Sequence, residues 1–244
     1  MLIDPDSKLI VTCAIGRRTE ATAAAALTDF YRRTDGEVEL FISSDAYPVY
    51  LAVIVSLYGV SKHDLEMTPQ EQADYGWEEL PEVLLPEELC YATVQKHREN
   101  NRVVRVERSL VLGTAAQQAA LQAQGSSAAT INTSYVERYH GTHRHQSARK
   151  ARKVYTFSKD LLFHRAATWL CVAAYNFCWQ PRTLRIQVQA EPPRYRYRTP
   201  AMAAKLTEDC WTMQRLLSYP VFRPKAERDQ VQPPPVGART VEGR

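Results

Sequence analysis

Proline sets the first limit on this chain. Its locked φ and missing N–H keep it out of helix interiors and central strands, and nine of the fourteen prolines lie beyond Trp179. A regular core is therefore expected over about residues 1–180, followed by a helical, proline-rich C-terminal extension over 181–244. The last twenty or so residues of that extension are expected to be disordered. The full 244 residues suffice for one to two domains with a sizeable core. At 45% hydrophobic and 24% charged, the composition is that of a globular protein. The longest apolar run, Trp169 to Trp179, is interrupted by Asn176 and falls short of the roughly 18 residues a membrane helix needs. No membrane partner is expected. The five cysteines are odd in number and form no CxxC pair, and no signal-peptide pattern is present, so a reduced, cytoplasmic setting is expected. No P-loop or GxGxxG occurs, which leaves a nucleotide cofactor without support.

The net charge of +4 conceals a strong segregation. Residues 61–90 carry nine acids against Lys62, a local balance of −8, while residues 138–165 carry eight Lys and Arg against Asp160, a balance of +7, with four histidines besides. A basic block of this kind is an electrostatic footprint for nucleic acid; its plainer reading is a solvated helix face.

Local pattern supplies the elements. Leu2–Ile3 and Leu9–Val11 read as two apolar strands joined by an Asp-Pro-Asp-Ser turn. Thr19 to Arg33 is an alanine-rich helix with Thr19 as N-cap and Asp35-Gly36 as its stop. Glu37 to Ser43 suggests a strand running into Ser44-Asp45, with a helix around Tyr50 to Tyr58. That order places the Asp45 carboxylate at the mouth of a sheet, where α/β sites are built; its plainer reading, favoured by the local pattern alone, is a cap on the next helix. The stretch 61–90, with Pro69, Pro81 and Pro86, reads as an irregular surface insertion. Arg102 to Gly113 reads as a strand and Thr114 to Gln124 as a short helix.

The segment Thr130 to Lys153, TINTSYVERYHGTHRHQSARKARK, holds the most chemistry. Ser134 and Glu137 have capping-box spacing. Beside them Arg138, Arg144, Arg149, Lys150, Arg152 and Lys153, then Lys159, are interleaved with Tyr139 and Tyr155 and could neutralise successive phosphates. In that setting Glu137 becomes a candidate metal-binding carboxylate. A zinc site from His140, His143, His145 and a cysteine matches no structural zinc spacing, and its basic neighbours would repel the ion.

These residues carry a resemblance. The run TSYVERYHGTHRHQSARKARK, then FSKD, His164 and YNFCWQPRTLR, resembles the C-terminal half of bacterial DDE-type insertion-sequence transposases, within them the insertion-sequence-one-like group. Gly16-Arg17-Arg18-Thr19, Ser44-Asp45 with Tyr50, and Thr199 to Ala204 with Trp211 agree in order, so the likeness covers most of 1–217 and is weakest over about 60–105. It implies an α/β, ribonuclease H-like mixed sheet flanked by helices, with an acidic insertion at about 60–105. It also implies three acids holding two Mg²⁺ or Mn²⁺ ions for phosphodiester cleavage and strand transfer. Asp45 is then the second acid and Glu137 the third, with the basic run gripping DNA, at transposon ends or target, and His164 near the catalytic helix. Homo-oligomers acting on the bacterial nucleoid are further implications.

The same likeness puts the first catalytic Asp on a strand upstream of Leu2-Ile3-Asp4. The first strand and its acid are thus expected to be missing, with Asp4 or Asp6 as weak substitutes and an unpaired strand edge left behind. Two functions are carried forward. One is a metal-dependent transposase, truncated or degenerate; the other is an inactive remnant that binds DNA non-specifically through 138–165.

Overall fold

The structure is a computed structural model and describes residues 1–220 except 75, 101, 126–130, 152 and 190–193. Arg152 and the expected disordered tail lie outside the described residues.

The chain opens with a hairpin, β1 (Leu2–Ile3) antiparallel to β2 (Ile10–Thr12). The Asp4 side chain holds its turn, accepting from the backbone N–H of Asp6 at 3.1 Å and of Ser7 at 3.0 Å, and from the Ser7 hydroxyl. Helix α1 (Glu20–Arg33) follows, and the Thr19 hydroxyl accepts from Thr22 N–H at its start. Its buried residues Ala23, Ala26, Leu27 and Phe30 fall on one helical face. Asp35 and Gly36 then take left-handed conformations, φ +53° and +70°, that no helix can continue.

β3 (Phe41–Asp45) leads into α2 (Val49–Tyr58). The strand begins at Phe41 and not at Glu37, because the Glu37 carboxylate accepts from the N–H groups of Val38 and Glu39 and makes a turn there. The acidic stretch contains a small pair, β4 (Val60–Ser61) with β5 (Val83–Leu84), and a short α3 (Pro69–Asp74). Next come β6 (Cys90–Glu99), β7 (Arg102–Leu112) and α4 (Ala115–Gln124), whose start carries a capping box between Thr114 and Gln117. Helices α5 (Ser134–Gln146) and α6 (Leu161–Phe177) complete the core. The extension holds β8 (Ile186–Val188) paired with β9 (Arg194–Arg196), then α7 (Pro200–Ala203) and α8 (Met213–Ser218).

The fold is mixed α/β. A mixed sheet in the order β3-β6-β7, with β3 parallel and β7 antiparallel to β6, is flanked by helices. The reading of about 60–105 as an insertion gives way at Cys90. From there β6 is the middle strand, with Cys90, Tyr91, Ala92 and Val94 all buried, as a strand covered on both faces must be.

Three clusters cement the layers. Leu27, Ile54, Tyr58, Leu89 and Tyr91 pack between α1, α2 and one face of the sheet, and Ile42 of β3 and Leu2 of β1 both join them. Ala92, Val94 and Ile131 pack on the sheet's other face with Phe41. Ile10, Cys13, Tyr139, Val172 and Tyr175 join β2 to α5 and α6, with Ile3 packed against them. Asn176, which broke the apolar run in the sequence, is buried here. Its amide accepts from Ile10 N–H and donates to Ile10 C=O, both at 3.0 Å, and so acts as a neighbouring strand for β2. No described helix is long and apolar enough to cross a membrane.

Candidate nucleic-acid interface and carboxylate site

Between the β1–β2 hairpin and β3 lies a cavity of about 1190 Å³. Asp45, at the C-terminal end of β3, and Glu137, in the first turn of α5, both line it, although they come from opposite ends of the core sequence. Local structure explains both placements. α2 begins at Pro48 with no side-chain cap, so Asp45 does not serve as its N-cap. The capping box expected of Ser134 and Glu137 does not form either: α5 starts one residue earlier in register, at Thr133, and the Ser134 N–H and hydroxyl both donate to Asn132 Oδ1. Both carboxylates are thereby left to other partners.

Those partners are cations from distant elements. Arg18 Nη2 meets Asp45 Oδ2 at 2.9 Å, and the guanidinium also lies over the Tyr47 ring, 4.6 Å from its centroid. Lys96 Nζ on β6 donates to Glu137 Oε1 at 2.6 Å, joined by the Thr133 hydroxyl at 3.3 Å. The Lys96 ammonium holds the Glu137 carboxyl below its ordinary range, so it is ionised at neutral pH. Both carboxylates are about half exposed, 53% in each case, so these pairs bring little stability. Sequence reading missed Lys96, since nothing local links a strand residue to a helix forty residues on. Arg18 stood within a motif that the resemblance singled out, without a role.

Of the expected cations, Arg144, Arg149 and Lys150 line the same cavity, while exposed Arg138, Lys153 and Lys159 lie away from it. None of these six is ion-paired with a carboxylate among the described residues. The lone acid of the stretch, Asp160, caps α6 by accepting from the N–H groups of Leu162 and Phe163. Burial lowers the Lys150 ammonium pKa. His143 is 4% exposed and its pKa is pushed down to about 4, first by burial and then by Lys150. His164 also lines the cavity and is lowered for the same two reasons. His140 is lowered as well, first by burial, so these three histidines add little charge beside the Arg and Lys side chains.

The donors fit a metal only in part. No three Asp, Glu, His or Cys side chains converge on one point among the described residues, so neither a two-ion, three-acid centre nor the histidine–cysteine zinc site is assembled. Asp4 lines the cavity, but its oxygens are engaged in the β1–β2 turn. Asp45 and Glu137 are hard oxygen donors of the kind one Mg²⁺ takes, since that ion is commonly held by one or two carboxylates plus phosphate and water. Arg18 and Lys96 would have to release them.

Comparison with known proteins finds no matching family model, no matching curated protein and no matching solved structure.

Proposed function

We propose that this chain is a DNA-binding protein of the DDE transposase type, with a ribonuclease H-like core, whose phosphodiester-transfer site includes Asp45 and Glu137. One observation carries the reading. An acid at the end of a parallel strand and an acid in the first turn of a helix line one cavity, and a run of Lys and Arg without ion-pair partners among the described residues continues from that same helix. Phosphates are the natural counterion for such a run. Mg²⁺ or Mn²⁺ is the cofactor of this reading. When bound by Asp45 and Glu137 it would polarise the phosphodiester and lower the pKa of water. Arg18 and Lys96 hold the two carboxylates in ion pairs until then.

The test is a nicking assay on supercoiled plasmid with and without Mg²⁺ or Mn²⁺, beside Glu137→Gln. Metal-dependent nicking lost in the variant supports strand-transfer chemistry in this chain.

A second reading, DNA binding without cleavage, is favoured by the ion pairs on both acids and by the lack of a third converging ligand among the described residues. Salt-sensitive plasmid binding with no nicking in either metal would select it, and absence of both would sink the DNA reading altogether.

A further inference from the structure

The end of α6 and the C-terminal extension run side by side. The Trp211 N–H donates to the Phe177 C=O at 3.0 Å, and the two rings stack with centroids 4.6 Å apart. The Trp211 indole N–H also donates to the Thr207 hydroxyl at 3.0 Å, and Arg215 lies over the same ring. This junction is therefore held by main chain and side chain together. A cysteine stands on each side of its backbone hydrogen bond. Cys178 follows Phe177 as the C-cap of α6, and Cys210 precedes Trp211.

Residues that flank one such bond sit as strand neighbours do, with Cα atoms roughly 5–7 Å apart, which is the span a disulfide bridges. Two further observations bring the side chains together. The Cys210 sulfur lies 3.5 Å from the Cys178 carbonyl oxygen. The Cys178 thiol is pushed up first by burial and then by the Cys210 thiol, so each sulfur lies within the other's field. Access separates this pair from the rest. Cys210 is exposed and Cys178 half-buried, whereas Cys13 and Cys90 are buried. Neither Cys178 nor Cys210 belongs to any of the three core clusters.

We propose that Cys178 and Cys210 are a redox pair, two thiols that close to an intramolecular disulfide and fasten the C-terminal extension to the end of α6. The oxidant is a small disulfide of the glutathione class. The exposed Cys210 thiolate attacks one of its sulfurs, which forms a mixed disulfide and releases one glutathione thiolate. The Cys178 thiolate then attacks Cys210 Sγ, which closes the protein disulfide and expels the second glutathione thiolate. Two protein thiols thus give up two protons and two electrons, and the oxidant takes the electrons and leaves as two glutathione thiols. Excess reduced glutathione runs the same exchange backwards. Burial raises both thiols, so closure is slow at neutral pH. The bond closes the loop that carries β8, β9 and α7, and adds a covalent tie to the Phe177–Trp211 contact. Nucleic acid plays no part in this chemistry, which stands whether or not the DNA reading holds.

The experiment treats the full chain with excess oxidised glutathione at about pH 8, near the ordinary thiol range. Remaining thiols are then alkylated in denaturant, and the chain is weighed and its peptides mapped without reduction. The expected product has lost two hydrogens, carries no glutathione, and is alkylated at three of its five cysteines. Cys178→Ser should stop at the mixed disulfide, with a glutathione adduct on Cys210 about tenfold or more above that of the unaltered chain. Cys171→Ser should keep the bond, which distinguishes Cys178 from the other thiol of α6. The oxidised chain should melt at a higher temperature than the reduced one, and Cys210→Ser should melt alike in both conditions. If a serine variant does not fold, the mass and linked peptides of the unaltered chain decide. Four outcomes overturn the proposal. They are free thiols at both Cys178 and Cys210, an adduct that persists on the unaltered chain, a bond that needs Cys171 or joins two chains, and a Cys178–Cys210 disulfide that leaves the melting temperature unchanged.

Discussion

The acidic stretch 61–89 and the basic stretch 138–165 carry opposite charge at similar density, yet the fold treats them differently. Three of the nine acids have internal partners. Glu82 meets the Lys62 ammonium at 2.9 Å and His63 at 3.1 Å, Glu71 accepts from the N–H and hydroxyl of Thr68, and Asp74 accepts from Gln70. The basic stretch has no such closure. Its one acid caps a helix, and Arg138, Arg144, Arg149, Lys150, Lys153 and Lys159 are without ion-pair partners among the described residues. Charge that is satisfied within the chain shapes a loop, whereas charge left open is available to another molecule. A balance counted from the sequence cannot separate the two cases.

Four changes bear on this contrast, in descending order of effect. Arg144→Ala, Arg149→Ala and Lys153→Ala together should weaken binding to a labelled duplex by on the order of 100-fold and flatten the log–log salt slope by about 3. Glu78→Gln, Glu87→Gln and Glu88→Gln together should leave both within about threefold. Equal effects from the two triple variants, measured by anisotropy titration, would erase the distinction.

The second concerns acid. The unfolded chain protonates His143 near 6.5, whereas the folded chain does so only at about 4. Between those values the unfolded state binds the extra proton, so stability is unaffected by this group above 6.5 and falls as pH drops toward 4. The full loss is about 3 kcal/mol. Urea melts across that window should show the decline, and His143→Gln should flatten it.

Third, Asn176→Ala removes both amide bonds to Ile10 and leaves a buried N–H and C=O unpaired, which should cost about 2 kcal/mol in a denaturant melt. Last, Arg18→Ala and Lys96→Ala should each change stability by less than about 1 kcal/mol, because the carboxylate partners are half exposed. A larger loss would mean these pairs shape the fold and do not simply neutralise the site.

Much of the fold was legible because local chemistry decided it. Thr19 and the alanine run define α1, Asp35-Gly36 ends it, the Asp4 turn makes the first hairpin, and Thr114 begins α4. β6 was not legible. Its pattern runs from three consecutive buried residues, Cys90 to Ala92, through Thr93 and Val94 into Gln95, Lys96 and Arg98, so no single period marks it, and its burial comes from α2 and β3 far away in sequence. The short β8–β9 pair escaped notice for a similar reason, lying in a region that prolines seemed to reserve for irregular chain. Of the candidate site, Asp45 and Glu137 were visible as residues and as a likeness. Their convergence on one cavity, and the cations that hold them, arise only from tertiary structure.

The amide clasp between Asn176 and β2 also has a consequence for the order of events in synthesis. The two ends of that contact are 166 residues apart. At translation rates of about 5–20 residues per second, the hairpin emerges roughly ten to thirty seconds before its buried partner exists. A two-residue strand paired to a three-residue one cannot persist alone in that interval. The hairpin is thus made early and settles late, and closure of so long a loop makes folding slow. During that wait the apolar edge of the unsettled hairpin is a natural client for a ribosome-associated chaperone.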